Sequence, residues 1–171
     1  MMKRRGWFGL IVMIALAAPA RGQETGYTLD SLSRMSASEL EQIYRNATPG
    51  QAPAGFMQGR VVFREDAALA GPRGQVVNWL WQGKHFSDDS LINQFRGPRM
   101  IRANVFPGES WLDGKPALIL DYHHTSLLWR DVRDEVRQVS PGVYVGAMYL
   151  RRPHCPHLKL FFVLESSCAC R

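Results

Sequence analysis

Two turn dipeptides inside one strand-rich run constrain this chain more than any other feature. The run covers residues 110–150, SWLDGKPALILDYHHTSLLWRDVRDEVRQVSPGVYVGAMYL, and holds Asp113-Gly114 and Pro141-Gly142. Asp-Gly suits a two-residue hairpin turn because both central residues of that turn take positive φ. In Pro-Gly the proline presets the first corner and the glycine supplies positive φ at the next. Residues 117–120 lead as an apolar strand into Asp121, and residues 143–150 read as another strand. Turns at this spacing predict an antiparallel meander.

The flanking sequence extends the pattern. Residues 60–63, 91–95 and 158–164 are short and apolar-rich, and 67–74 reads as a Gly/Pro loop. Residues 76–82 (VVNWLWQ) are rich in aromatic and β-branched types and predict a strand that Gly83 breaks. Over 100–106, Ile101, Ala103 and Val105 alternate with Met100, Arg102 and Asn104. Residues 126–139 fit two periods. Leu128, Val132, Val136 and Val139 make a helical stripe, whereas a strand puts Val132, Asp134 and Val136 opposite Arg133, Glu135 and Arg137. The hairpin that Pro141-Gly142 would close favours the strand. About eight or nine short strands result, and a mainly β fold closing into a small barrel over 55–165 is expected, with a flexible tail at 166–171.

One helix is expected ahead of the strands, over 35–48. Ser36 and Glu39 have the spacing of a capping box, Met35 and Leu40 that of the hydrophobic staple, and Leu40, Ile43, Tyr44 and Ala47 share a face. Two prolines and two glycines in 49–55 end it. Its expected place is at one end of the sheet. Before it lie a polar leader, 21–34, and a secretory signal peptide, 1–20, with a basic n-region (Lys3, Arg4, Arg5), an apolar run and Ala18-Pro19-Ala20 for cleavage, a cut after Gly22 being the alternative. The apolar run is short of the ~20 residues a membrane span needs. The expected location is periplasmic or secreted.

The formal charge of +6 falls once the three basic residues of the n-region are set aside, leaving 18 Lys+Arg against 15 Asp+Glu. That balance, with no basic run, argues against nucleic acid as a partner. His154-Cys155-Pro156-His157 and Cys168-Ala169-Cys170 contain metal-ligating types, but a strand at ~3.3 Å per residue separates them, so neither a metal site nor a Cys155–Cys168 disulfide is expected. No cofactor is called for.

The order W-x-G-K-x-F, D-G, a DY segment, RDE-x-R-x-V-x-P-G-x-Y-x-G-x-x-Y and a final FF-x-L resembles the bacterial lipocalin-like, calycin-type barrels, nearest the GXWXG type, a family of largely unassigned function. The residues that carry it are Trp81, Gly83, Lys84 and Phe86, then Arg133, Gly146 and Met148, then Phe161 and Phe162, within 55–164. At the namesake position the chain reads Gly59-Arg60-Val61-Val62-Phe63, without the tryptophan and last glycine. The resemblance implies a barrel with an apolar cavity rather than a catalytic mechanism.

The expected function is therefore reversible binding of a small apolar or amphipathic molecule. Trp79, Trp81, Trp111, Tyr122 and Tyr144 are candidate wall residues, and Lys84, Arg133 and Arg137 candidate polar anchors. An alternative is an enzyme on an apolar substrate, with Asp121, His123 and Glu135 as acid–base groups. A third reading is an envelope structural protein whose barrel is filled by side chains.

Overall fold

The structure is a computed structural model and describes residues 26–64 and 72–167. The expected signal peptide, Cys168 and Cys170 lie outside these residues. Eight antiparallel strands in sequence order close into a barrel, β1 (Gly55–Phe63), β2 (Trp81–Phe86), β3 (Ser90–Phe95), β4 (Arg99–Glu109), β5 (Pro116–Asp121), β6 (Val132–Ser140), β7 (Val143–Leu150) and β8 (His157–Ser166). Pro141-Gly142 turns the chain between β6 and β7, with Gly142 at φ 71°. Asp113-Gly114 is not the two-residue turn expected: residues 110–115 link β4 to β5, with Gly114 at φ 71° and Asp113 not at positive φ. Residues 132–140 are a strand, as the hairpin argument requires.

The interior follows the period of two. Leu118, Leu120 and Tyr122 face inward from the β5 side, and Val132, Asp134 and Val136 from β6. On β8 the inward set is Leu160, Phe162 and Leu164. Gly146 stands opposite Phe162 in the β7–β8 register, where any Cβ would collide with the Phe162 ring.

Three helices accompany the barrel among the described residues, where one was expected. They are α1 (Leu29–Ser33), α2 (Ala37–Asn46) and α3 (Pro72–Leu80). α1 falls in the stretch read as a polar leader, and its Thr28–Ser31 capping box is built from two short hydroxyl residues. α2 has the expected Ser36–Glu39 box. These two helices do not close an end of the barrel. Leu32, Leu40 and Tyr44 instead cover its outer face, against Val145, Ala147, Phe161 and Val163 of β7 and β8. The outward residues of those strands are as apolar as the inward ones, so this part of the sheet must be covered on both sides. Among the described residues no helix is long and apolar enough to cross a membrane.

α3 corrects the strand expected at 76–82. β1 pairs with β2 only from Gly55 to Gln58, then runs on to Phe63 paired with β8 alone. The unpaired side of β1 needs other partners, and the Asn78 amide supplies them: it donates to the Val61 carbonyl at 2.9 Å and accepts the Val61 N–H at 2.7 Å. Pro72 at the helix start suits a position where no N–H is needed. A satisfied strand edge outweighs the β propensity of Val76, Val77 and Trp79.

Gly83 does not end a strand; it is the bulge inside β2. The register shifts between Trp81 and Gly83, and Gly83 sits at φ 141°. A Cβ there would meet the Met57 carbonyl oxygen and the Gly59 backbone nitrogen. Gly83→Ala is expected to lower the free energy of unfolding by about 3 kcal/mol, from backbone strain plus overpacking. Urea titration followed by far-UV circular dichroism measures it, and an unchanged midpoint would contradict the close approach.

Candidate functional site

Without the bulge, Trp81 and Lys84 would alternate to opposite faces. With it, both line one cavity of about 220 Å³ at the end of the barrel where β1 ends and β2 begins. Val61, Phe63, Phe95, Trp129, Met148 and Phe162 contribute apolar wall, and Val77 of α3 lines it too. At the other end of the barrel Met57, Phe86, Leu91, Val105 and Leu164 fill the interior.

Between filled interior and cavity lies a polar cluster. Lys84, only 3% exposed, donates from Nζ to Tyr122 Oη at 2.7 Å, Asp134 Oδ2 at 2.9 Å and Asn93 Oδ1 at 3.0 Å. Trp81 Nε1 also donates to Asn93 Oδ1, at 3.0 Å. Asn93 Nδ2 donates to the Ile101 carbonyl at 2.9 Å and Tyr122 Oη at 3.1 Å, and Tyr122 donates to Asp134 Oδ2 at 3.1 Å. The Lys84 ammonium also lies 5.2–5.5 Å from the ring centres of Phe162, Tyr122 and Trp81. Burial and the Asp134 charge push the Tyr122 phenol well above its ordinary pKa, so it stays a neutral donor. Buried charges demand such pairing, because an uncompensated one costs several kcal/mol.

The other anchors expected from sequence lie outside the barrel wall. Arg133, Glu135 and Arg137 point away from the interior, because Asp134 and Val136 take the inward positions of β6. They are nonetheless covered, by α2 and the 110–115 turn. Glu135, fully buried, accepts from Ser110 Oγ at 2.5 Å and the Trp111 N–H at 2.8 Å, with Arg133 Nε at 3.3 Å and Tyr44 Oη at 3.3 Å. Arg137, also fully buried, binds both Asp113 oxygens at 2.8 and 2.7 Å and donates to the Tyr44, Lys115 and Pro116 carbonyls. Trp111 is exposed over the Arg133 guanidinium at 4.1 Å. Burial pushes the Tyr44 phenol up, keeping it protonated beside Glu135. This cluster ties α2, the turn and β6 together and does not open into the cavity.

Trp79 is exposed on α3, with Arg96 stacked at 4.4 Å. Tyr144 belongs to the interior core, its hydroxyl donating to the Gln51 carbonyl at 2.8 Å. His123 is in the turn after β5 rather than on the strand, and its ring stands edge-on to His124 at 4.5 Å. Asp121 accepts from the His123 backbone N–H at 2.9 Å and pairs with Arg151 at 2.8 Å. No side-chain bond joins Asp121, His123 and Glu135 among the described residues. Sequence reasoning missed Asn93 and Asp134 as site residues. Asp134 was readable as the inward member of the Val132–Val136 alternation; an asparagine in a six-residue strand carries no such sign.

No protein-family model and no curated protein matches the chain. The chain is similar in fold to a solved structure, a crystal structure of a protein from Thermomonospora curvata, at TM-score 0.52 and 22% identity, covering 77% of this chain and 87% of that one. What the two share is the fold, which in this chain is a closed eight-stranded antiparallel barrel.

The Arg137–Asp113 pair has a readable stability signature. The hydrogen bonds from Arg137 hold the Asp113 carboxyl below its ordinary range despite its burial. A folded pKa below the unfolded value means the contribution is full above the ordinary carboxylate pKa, about 4, and is lost as pH falls through the folded value. Arg137→Ala is expected to cost about 3–5 kcal/mol at pH 7. It should also flatten the acid limb of the stability–pH curve. Urea midpoints between pH 2 and 7 for both proteins check this, and parallel curves would refute the pairing.

Proposed function

We propose that this protein is an exported, lipocalin-like carrier, nearest the GXWXG type, that reversibly binds a small apolar molecule inside its barrel. The observation that carries the reading is the cavity of about 220 Å³, walled by Val61, Phe63, Phe95, Trp129, Met148 and Phe162. Small-molecule sites have this composition, a mostly apolar concavity with a few placed polar groups. The volume is below the ~300–1,000 Å³ of sites for drug-sized ligands, which favours occupants of about one or two rings. A barrel filled end to end would leave no such space, so the cavity supports the carrier over the structural role. The acid–base residues considered for an enzyme stand outside the cavity wall, which favours binding over catalysis.

The reading predicts that naphthalene binds the unaltered protein and raises its melting temperature with ligand concentration. Val61→Phe, which adds volume at the cavity wall, should weaken that binding at least tenfold while the barrel still melts cooperatively. Isothermal titration and thermal scans measure both effects. Equal affinity for the two proteins would place the ligand elsewhere and sink the proposal.

A further inference from the structure

The hydrogen-bond account of the polar cluster is complete except for one atom. Lys84 has three donors, and Asn93, Tyr122 and Asp134 accept all three. The Trp81 N–H is used by Asn93, both Asn93 amide hydrogens by Ile101 and Tyr122, and the one Tyr122 hydrogen by Asp134. No donor in the cluster is spare. The Asp134 carboxylate is different. Its Oδ2 accepts from Lys84 and Tyr122, but its Oδ1 is buried without a hydrogen-bond partner among the described residues. Asp134 is 4% exposed and lines the cavity. Leaving a buried carboxylate oxygen unsatisfied is costly, and native proteins rarely do so without an unseen water or ligand group to explain it.

Resting on the carrier reading, we infer that the cavity is matched to a neutral hydroxyl compound, a small apolar phenol or alcohol whose O–H donates to Asp134 Oδ1. A ketone or ether offers only an acceptor, and the cluster has no free donor to meet it. A carboxylate would set a second negative charge beside Asp134, again with no free donor. An ammonium compound would crowd the Lys84 ammonium, 2.9 Å from the other oxygen of the same carboxylate. A hydroxyl supplies the missing hydrogen and leaves the net charge of the Lys84–Asp134 pair unchanged. The bond would be charge-assisted, among the stronger kinds in a dry site.

The test compares 1-naphthol, 1-methoxynaphthalene and naphthalene by isothermal titration with the unaltered protein. Transfer from water alone favours naphthalene over 1-naphthol, so a preference for the hydroxyl compound runs against simple partitioning. The inference expects 1-naphthol to bind at least tenfold more tightly than either of the others. In Asp134→Asn that preference should shrink to less than about threefold, since the acceptor loses its charge. The comparison on the unaltered protein decides the question even if the variant does not fold. Equal binding of all three would mean that water satisfies Asp134 Oδ1; the hydroxyl inference then falls while the carrier reading stands. Binding of none would overturn both.

Discussion

The burial of charge on both faces of β6 is the constraint from which much of the architecture follows. Asp134 points into the barrel, and Glu135 and Arg137 point out beneath α2 and the 110–115 turn, all three buried. A buried ion that loses its partner costs several kcal/mol, so each must meet a partner from elsewhere in the chain. Lys84 supplies Asp134's across the barrel from β2. Asp113 and the Tyr44 carbonyl supply Arg137's, and Ser110, Trp111 and Arg133 supply Glu135's. Strand register is thereby enforced twice. A one-residue slip of β6 would exchange its two faces and take each of these charges away from its partner.

Turn chemistry and alternation made much of the barrel legible. Pro141-Gly142 names its hairpin, Asp113-Gly114 marks where β4 gives way to β5 but not the length of the link, and Ile101, Ala103 and Val105 reveal the inward face of β4. Local pattern was weakest where a distant strand decides the outcome. Residues 76–82 have strand-like composition, yet most of them become the end of α3, because the free edge of β1 at Val61 takes Asn78 as a surrogate partner. Nothing within VVNWLWQ records that requirement. α1 was hidden for a different reason: five residues are too few to show a period.

The same distinction divides the site. Lys84, Trp81 and Tyr122 were readable as a basic group among aromatics, and the structure sets all three in one cavity wall. Arg133 and Arg137 look equally suited as anchors in the sequence. Their outward direction is a matter of parity along β6, which the alternation supplies only once the inward face is known. Trp81 and Lys84 defeat parity altogether, because the bulge at Gly83 adds a residue between them. Such irregularities are common where a sheet re-aims a side chain toward a site.

The pairing of β1 with β8 has a consequence for how the molecule comes into being. Val61 and Phe162 face each other across that seam although they are roughly a hundred residues apart, a contact whose loop-closure entropy must be met before it gives any return. Until β8 is in place, one edge of β1 and one edge of β7 remain open templates for any other extended chain. Closure of the barrel therefore waits on β8. A nascent chain that stops short of Leu160 is not a smaller barrel but a two-edged sheet, and its safety depends on how quickly the last strand arrives.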